Sequence, residues 1–295
     1  MGELAALGWG LFFASTTVFM RYGASRVSLF WLNAARCLIA SLAVAVAVGL
    51  TSGFQGFAGL PMHTIVWLGL STAVAYPLGD MLYFRSSQLI GVSRAMPLSN
   101  CYPLVSVLLA VALLGETMSW RLALGTLFIL GGGYLVAKAR VLDVPSPRVR
   151  SLGEGSKGLL LAGLAAIFWG VSVVLDRVAM QVPSVDLLAA GLLRLVLGAI
   201  FLFLLAGTRR ERVEWRKLDR RFLALLLLVG VVFSAGAPPL WLYAVQAIGA
   251  AKASLLAATA PLFGLALSAL LLGEKATWRT AGGAALTILG VWFIL

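Results

Sequence analysis

Histidine is nearly missing from this chain of 295 residues, which has only His63, and acids are scarce, 11 against 23 Lys and Arg. One histidine cannot build a His-Glu-x-x-His zinc helix, no G-x-S-x-G stretch offers a nucleophile elbow, and no acid cluster offers a metal cage. The absence of a G-x-x-x-x-G-K-[ST] loop argues against self-contained ATP driving. The two cysteines, Cys37 and Cys101, sit inside apolar segments, where number and spacing imply neither a disulfide framework nor a metal site. No cofactor is implied. Charged residues make up only 12% of the chain, against 61% hydrophobic residues, and the mean hydropathy is +0.99. An ordinary soluble domain is about half apolar and one quarter charged, so a soluble fold is excluded. The net charge of +12 does not point to nucleic acid, because the basic residues lie between apolar stretches and are not interleaved with aromatics on one soluble surface.

What is present is a series of apolar runs. A helix needs about 20 largely apolar residues to cross a bilayer. Runs bounded by charge, Gly or Pro predict spans at Leu4 to Tyr22, Leu29 to Leu50, Thr64 to Phe84, Ala95 to Leu114 and Ser119 to Ala137. A stretch with Pro145, Pro147, two Arg and three Ser follows, so 141–157 reads as a polar linker. Five more spans are expected at Gly158 to Arg177, Val185 to Ala206, Phe222 to Tyr243, Ala253 to Leu272 and Trp278 to Leu295. No Lys or Arg precedes Leu4 and no small-residue cleavage pattern follows the first run, which therefore reads as a span and not as a removable signal. The expected fold is all-α: a polytopic membrane protein with ten transmembrane helices and almost no aqueous domain.

The two sets of five spans repeat each other. At a shift of 158 residues Gly91 meets Gly249, Pro103 meets Pro261, Leu113-Leu114-Gly115-Glu116 meets Leu271-Leu272-Gly273-Glu274, and Trp120-Arg121 meets Trp278-Arg279. Gln88 and Gln246, Gly125 and Gly283, and Gly132 and Gly290 keep the same register. The first two spans match more loosely, with Trp9-Gly10 like Trp169-Gly170, Arg21 like Arg177 and Arg36 like Arg194. An odd number of spans per half makes the second half enter from the opposite side. The expectation is an inverted repeat, 1–140 and 158–295, which lends itself to alternating access around a central site.

These residues resemble the drug/metabolite transporter superfamily, specifically its ten-span proteins with two EamA-type repeats. The likeness covers nearly the whole chain: Trp-Gly in the first span of each half, Arg in the second, and Pro followed by Leu-Leu-Gly-Glu in the fourth. No one of these motifs is specific, but their order and duplication are. The resemblance implies a secondary carrier of small molecules (amino acids, other metabolites, nucleotide sugars, phosphorylated metabolites or drugs) with its site between the halves near mid-membrane. Four-helix relatives that expel cationic drugs use a Glu in the first helix; Leu4 to Met20 holds no acid, so that mechanism does not carry over.

A charge in hydrocarbon costs about 2.5–3.5 kcal/mol on insertion scales, so Arg36 and Arg194 need partners or a wet cavity. They are candidates to bind an anionic group; the competing role is to bond carbonyls or a neighbouring acid and fix the bundle. Asp80 lies deep in the third span, and Tyr76, Asp80 and Tyr83 at i, i+4 and i+7 predict one polar, aromatic helical face. The shift of 158 pairs Asp80 with Pro238, so symmetry does not explain this carboxylate, which is the first candidate to titrate a proton or bind a substrate amine. Its competing role is an ion pair with Arg36 or Arg85.

Pro77, Pro97, Pro103, Pro238, Pro239 and Pro261 interrupt the third, fourth, eighth and ninth spans and mark the pathway. Asn100, Tyr102, Trp241 and Gln246, with Trp9 and Trp169, complete the candidate cavity, while Trp241 and Tyr243 also suit an interfacial belt. Arg94 and Lys252 are repeat mates that read as cationic gates or as interfacial, snorkelling residues. Glu116 and Glu274 suit capping at surface turns. Glycines 131 to 133, 282, 283 and 290 suit close helix packing or a homodimer.

Eighteen Lys and Arg fall on the side of the connections after odd-numbered spans, and three, Arg121, Arg177 and Lys252, on the other. The positive-inside rule then places both termini outside, although ten-span relatives usually keep them inside. The expected setting is the lipid bilayer of a prokaryotic plasma membrane, with a small-molecule partner, proton-coupled or exchanged. An intramembrane enzyme and a flippase for an amphipathic lipid are the alternatives.

Overall fold

The computed structural model describes residues 1–23, 26–51, 54–141, 152–182, 185–208, 218–272 and 277–295, and among them every regular element is helical, with no strand. The first half contains α1 (Gly2–Gly23), α2 (Leu29–Thr51), the single turn α3 (Gln55–Ala58) and α4 (Met62–Ala73). A π-helical segment over Val74–Asp80 joins α4 to α5 (Met81–Ile90), and α6 (Val92–Ser99), α7 (Tyr102–Leu114) and α8 (Trp120–Val141) complete it. The second half contains α9 (Leu152–Ala179), α10 (Leu187–Thr208) and α11 (Arg220–Leu228), then a π-helical segment over Val229–Ser234, α12 (Ala235–Ala257), α13 (Ala260–Leu272) and α14 (Trp278–Ile294).

Among the described residues, seven stretches are long and apolar enough to cross a bilayer: Gly2–Met20, Phe30–Thr51, Met62–Ile90, Ala95–Leu114, Gly153–Ala179, Leu187–Gly207 and Arg220–Ala257. Trp120–Val136 is a shorter apolar helix. The chain is a polytopic, all-helical integral membrane protein.

Proline and glycine set the interruptions. Pro77 has no N–H for the helical ladder, and the chain passes it in a π-helical segment. Gly91 and Gly249, related by the shift of 158, both take φ 82, in the left-handed region that favours glycine, and each bends the chain out of a helix. The helix breaks are also related: α6 ends at Ser99 and α7 starts at Tyr102, while α12 ends at Ala257 and α13 starts at Ala260.

The packing crosses between the halves. Serines and threonines of the first half bond the carbonyls of α9 along its length: Thr64 to Ala179 at 3.0 Å, Ser71 to Ser172 at 3.0 Å, Ser86 to Gly158 at 2.7 Å and Ser99 to Ala162 at 3.2 Å. In the opposite exchange α1 packs on α12 and α13, with Gly8 against Leu240 and Gly10 against the Ala257 carbonyl. The start of α2 (Ala34, Cys37) meets the end of α10 (Ala199, Leu202), and its later turns meet Leu192 and Leu195, so these two helices are antiparallel. Outside the apolar layer, the Asp219 carboxylate caps α11 by accepting the Phe222 N–H at 2.6 Å and pairs with Arg26 at 3.1 Å. Both contacts favour its ionised form and hold it below the usual carboxylate range.

α8 and α14 also run antiparallel and touch through backbone. A Cβ on Gly132 would lie 2.5 Å from the Gly283 carbonyl and 2.7 Å from the Thr287 nitrogen, and one on Gly290 would lie 2.9 Å from the Gly125 carbonyl. Gly132→Ala is therefore expected to destabilise by about 1–3 kcal/mol, the usual cost of overpacking. Gly133→Ala, with nothing within 4 Å, is the neutral control in the same thermal unfolding measurement.

Candidate functional site

Two aromatic clusters form where the first helix of each half meets the other half's broken helices. Trp169 of α9 lies 5.5 Å from Tyr83 and 6.4 Å, edge-on, from Tyr102 between ring centroids. Trp9 of α1 lies 4.9 Å from Trp241 and 5.0 Å from Phe13. Trp241 stands 158 residues after Tyr83, so the two Trp-centred pairs occupy matching places. The glycine after each Trp permits the approach: Gly170 faces the Tyr102 carbonyl and Val105 at the α6–α7 break, and Gly10 faces Ala257 and Ala260 at the α12–α13 break.

Asp80 belongs to the first cluster. Trp169 Nε1 donates to its Oδ1 at 3.0 Å, and Gly79 allows the contact, because a Cβ there would lie 2.6 Å from that nitrogen. Asp80 forms no ion pair with any described residue. Arg85 instead donates to Gln88 at 3.1 Å. Arg36 gives Nε to Asn33 Oδ1 at 3.1 Å and Nη1 to Ser234 Oγ at 3.0 Å, with Cys37 Sγ at 3.6 Å. All of these partners are neutral, and among the described residues Arg36 has no carboxylate bonded to it.

Arg194 has the opposite arrangement. It is ion-paired and hydrogen-bonded to Asp176, whose side chain is fully buried, and also bonds Tyr76. Trp241 Nε1 donates to Asp176 Oδ2 at 2.7 Å, and Ser71 Oγ lies 2.6 Å from Oδ1. The Arg36–Ser234 and Arg194–Tyr76 contacts exchange under the shift of 158. The halves therefore share a scaffold and differ in charge: among the described residues Arg194 is bonded to an acid and Arg36 only to neutral groups.

Tyr76 lies against Gly198 on α10, whereas Asp80 and Tyr83 meet Trp169 on α9. Asn100 stands at the α6–α7 break and lines a cavity of about 30 Å³ with Pro97, Cys101, Tyr134, Ala258 and Pro261, room for a water molecule. Trp241 is buried and Tyr243 exposed, so only Tyr243 has the outward exposure of a belt residue. Gln246 Nε2 reaches the Val182 carbonyl at 3.3 Å, beyond the end of α9. Lys252 pairs with Glu3 at 2.9 Å, and the side chain of Arg94 lies outside the described residues, as does Glu274. Among the described residues no group of three His, Cys, Asp or Glu is placed to hold a metal.

The model of the EamA-like transporter family matches residues 1–138 and again residues 156–295. The chain belongs to the EamA-like transporter family. An uncharacterised transporter of Archaeoglobus fulgidus is 26% identical over 302 residues, covering 100% of this chain and 96% of its own length. A Listeria innocua protein named for sugar uptake is 25% identical over 202 residues, 64% of this chain and 66% of its own. A crystal structure with 21% identity has the same fold, with a TM-score of 0.81 over 99% of this chain and 94% of that one. The family match points to a transporter of small molecules and away from an enzyme.

Within this EamA-like chain the residue that sequence reasoning missed is Asp176. It stands beside Arg177 near a span end, where a charged pair reads as the boundary of the hydrocarbon. The signal was Arg194, whose need for a partner points to an acid on a neighbouring helix.

Proposed function

We propose that this protein is a secondary transporter of small metabolites or drugs, an exporter or exchanger, working by alternating access between two inverted five-helix repeats. The repeats are 1–140 and 158–295, joined by the polar segment 141–157, with ten spans in all. The observation that carries the proposal is the Asp80 carboxylate, held by one Trp169 hydrogen bond among Trp169, Tyr83 and Tyr102 and bonded to no cation among the described residues. A carboxylate beside aromatic faces suits a proton or a substrate ammonium group. The antiparallel α8–α14 and α2–α10 pairs and the exchanged Arg contacts support the inversion. Breaks at Asn100 and Ala258 give the discontinuous helices that carriers place at their binding sites.

A lipid flippase is less well supported. The groove of about 330 Å³ between α2 and α10 is lined by Leu38, Val196, Ala199, Ile200, Phe203 and Leu204, with Ser41 its one polar residue, and has nothing to hold a charged headgroup.

Purified protein screened by thermal shift against amino acids, sugars, nucleotides and phosphorylated metabolites is expected to yield a stabilising ligand. Proteoliposomes under a pH gradient or counter-loaded with ligand are expected to accumulate it. Failure of every stabilising compound to cross would reject the proposal. From the charge count we propose that both termini lie outside a prokaryotic plasma membrane, so a cysteine beside Leu295, in a background without Cys37 and Cys101, is expected to react with an impermeant thiol reagent in intact cells. Reaction only after lysis would reverse the orientation.

A further inference from the structure

α7 is closed after Leu114 by Gly115 in a left-handed conformation, φ 67, and the Glu116 N–H turns back to the Ala110 carbonyl at 3.2 Å. Glu116 reaches across to the second half. Its Oε1 accepts the Ala250 N–H at 2.8 Å and its Oε2 the Ala251 N–H at 2.9 Å. These two amides begin the helical run restarted after Gly249, and a carboxylate is favoured at that positive end. The carboxylate lies directly over Gly249, where a Cβ would be 2.7 Å from Oε1 and 2.9 Å from Oε2.

Arg177 closes the other side of the same break. Its Nη1 donates to the carbonyls of Val245 at 3.2 Å and Gln246 at 2.8 Å, and its Nε lies 3.6 Å from Glu116 Oε1. Lys252 then bonds Glu3, so both acids that reach the second half here come from the first. The Glu116 side chain is only 17% exposed. One turn deeper, Ser106 Oγ and Ser254 Oγ meet at 2.6 Å as a further contact between the halves. At the other end the pair Arg26–Asp219 is more open, with Asp219 57% exposed.

We infer that Glu116 is a gating latch: its bonds to Ala250 and Ala251 close the end of the pathway that carries Met1, and they part when that end opens. This rests on the alternating-access function proposed above. Water can take over two helix N-terminal amides once they are exposed, so the contact is reversible in a way that a packed apolar seam is not. The latch needs Gly249 as its seat, Gly115 to aim the carboxylate, and Arg177 to hold the carbonyl side of the break.

The test uses full-length protein in nanodiscs with Cys37 and Cys101 replaced by Ala and a single reporter, either Ser254→Cys under the latch or Ser86→Cys at the opposite end, where Ser86 bonds Gly158. Glu116→Gln keeps the shape but presents an NH₂ donor to one amide N–H. It is expected to raise the maleimide labelling rate at position 254 by about tenfold and to leave the rate at position 86 unchanged or lower. Glu116→Asp, one methylene short, is expected to give a smaller rise. An unchanged rate at 254 with a lowered melting temperature would make Glu116 a static cap and overturn the latch. Equal rises at both positions would mean general loosening and overturn it as well. Labelling needs no substrate, so failure of the latch is distinguished from failure of the transport proposal, which the proteoliposome assay reads.

Discussion

Asp80→Asn abolishes concentrative transport and leaves folding intact: this is the expected result in proteoliposomes loaded with whichever compound stabilises the protein. Asn fills the same volume and can still accept the Trp169 N–H, so the aromatic cluster around it has no reason to collapse. What it cannot do is carry a negative charge or exchange a proton. A hydrogen bond to a charged group is worth about 1.5–3 kcal/mol, so binding through a substrate ammonium weakens by about ten- to a hundredfold. If Asp80 titrates a proton instead, binding persists and only accumulation under a pH gradient is lost. Undiminished accumulation by Asp80→Asn removes this residue from the mechanism under either alternative.

Asp176→Leu has the largest expected effect on stability. The carboxylate is fully buried and serves Arg194, Trp241 Nε1 and Ser71 together. Among the described residues, removing it leaves the guanidinium with only Tyr76 as a bonded side chain, and breaking such a pair from one side costs about 3–5 kcal/mol. Thermal unfolding in detergent measures this, and a melting temperature close to the parent would refute it. The double change Asp176→Leu with Arg194→Met removes both charges and is expected to recover much of the loss, because a buried ion pair is often replaceable by apolar groups of similar size. Arg36→Met is expected to be milder, since Asn33 and Ser234 are neutral and tolerate the loss of the cation.

Much of the architecture was legible because membrane helices write their length in hydropathy and their breaks in proline and glycine. The repeat from Gly91 to Glu116 and from Gly249 to Glu274 was visible as matched residues, and Gly91 and Gly249 do share one unusual backbone conformation. The site was legible only in part. Arg194 needed an acid, but Asp176 next to Arg177 looked like the end of a span. Tyr76, Asp80 and Tyr83 fitted one helical face, but nothing in the sequence says that α10 meets the first of them and α9 the other two. Glu116 suited a cap at a turn, and nothing local in the sequence says that the amides it holds lie 134 and 135 residues away.

The glycine seam between α8 and α14 has a consequence for how such a chain is assembled. Gly125 meets Gly290 and Gly132 meets Gly283, and the shift of 158 turns each pair into the other. Geometrically this is an isologous interface, the self-complementary kind that closes a two-fold dimer, carried here within one polypeptide. Each half therefore holds both faces of the joint. A half-length chain inserted in both directions would already possess a complete docking surface, and fusing two copies head to tail would fix a symmetry the helices had specified beforehand.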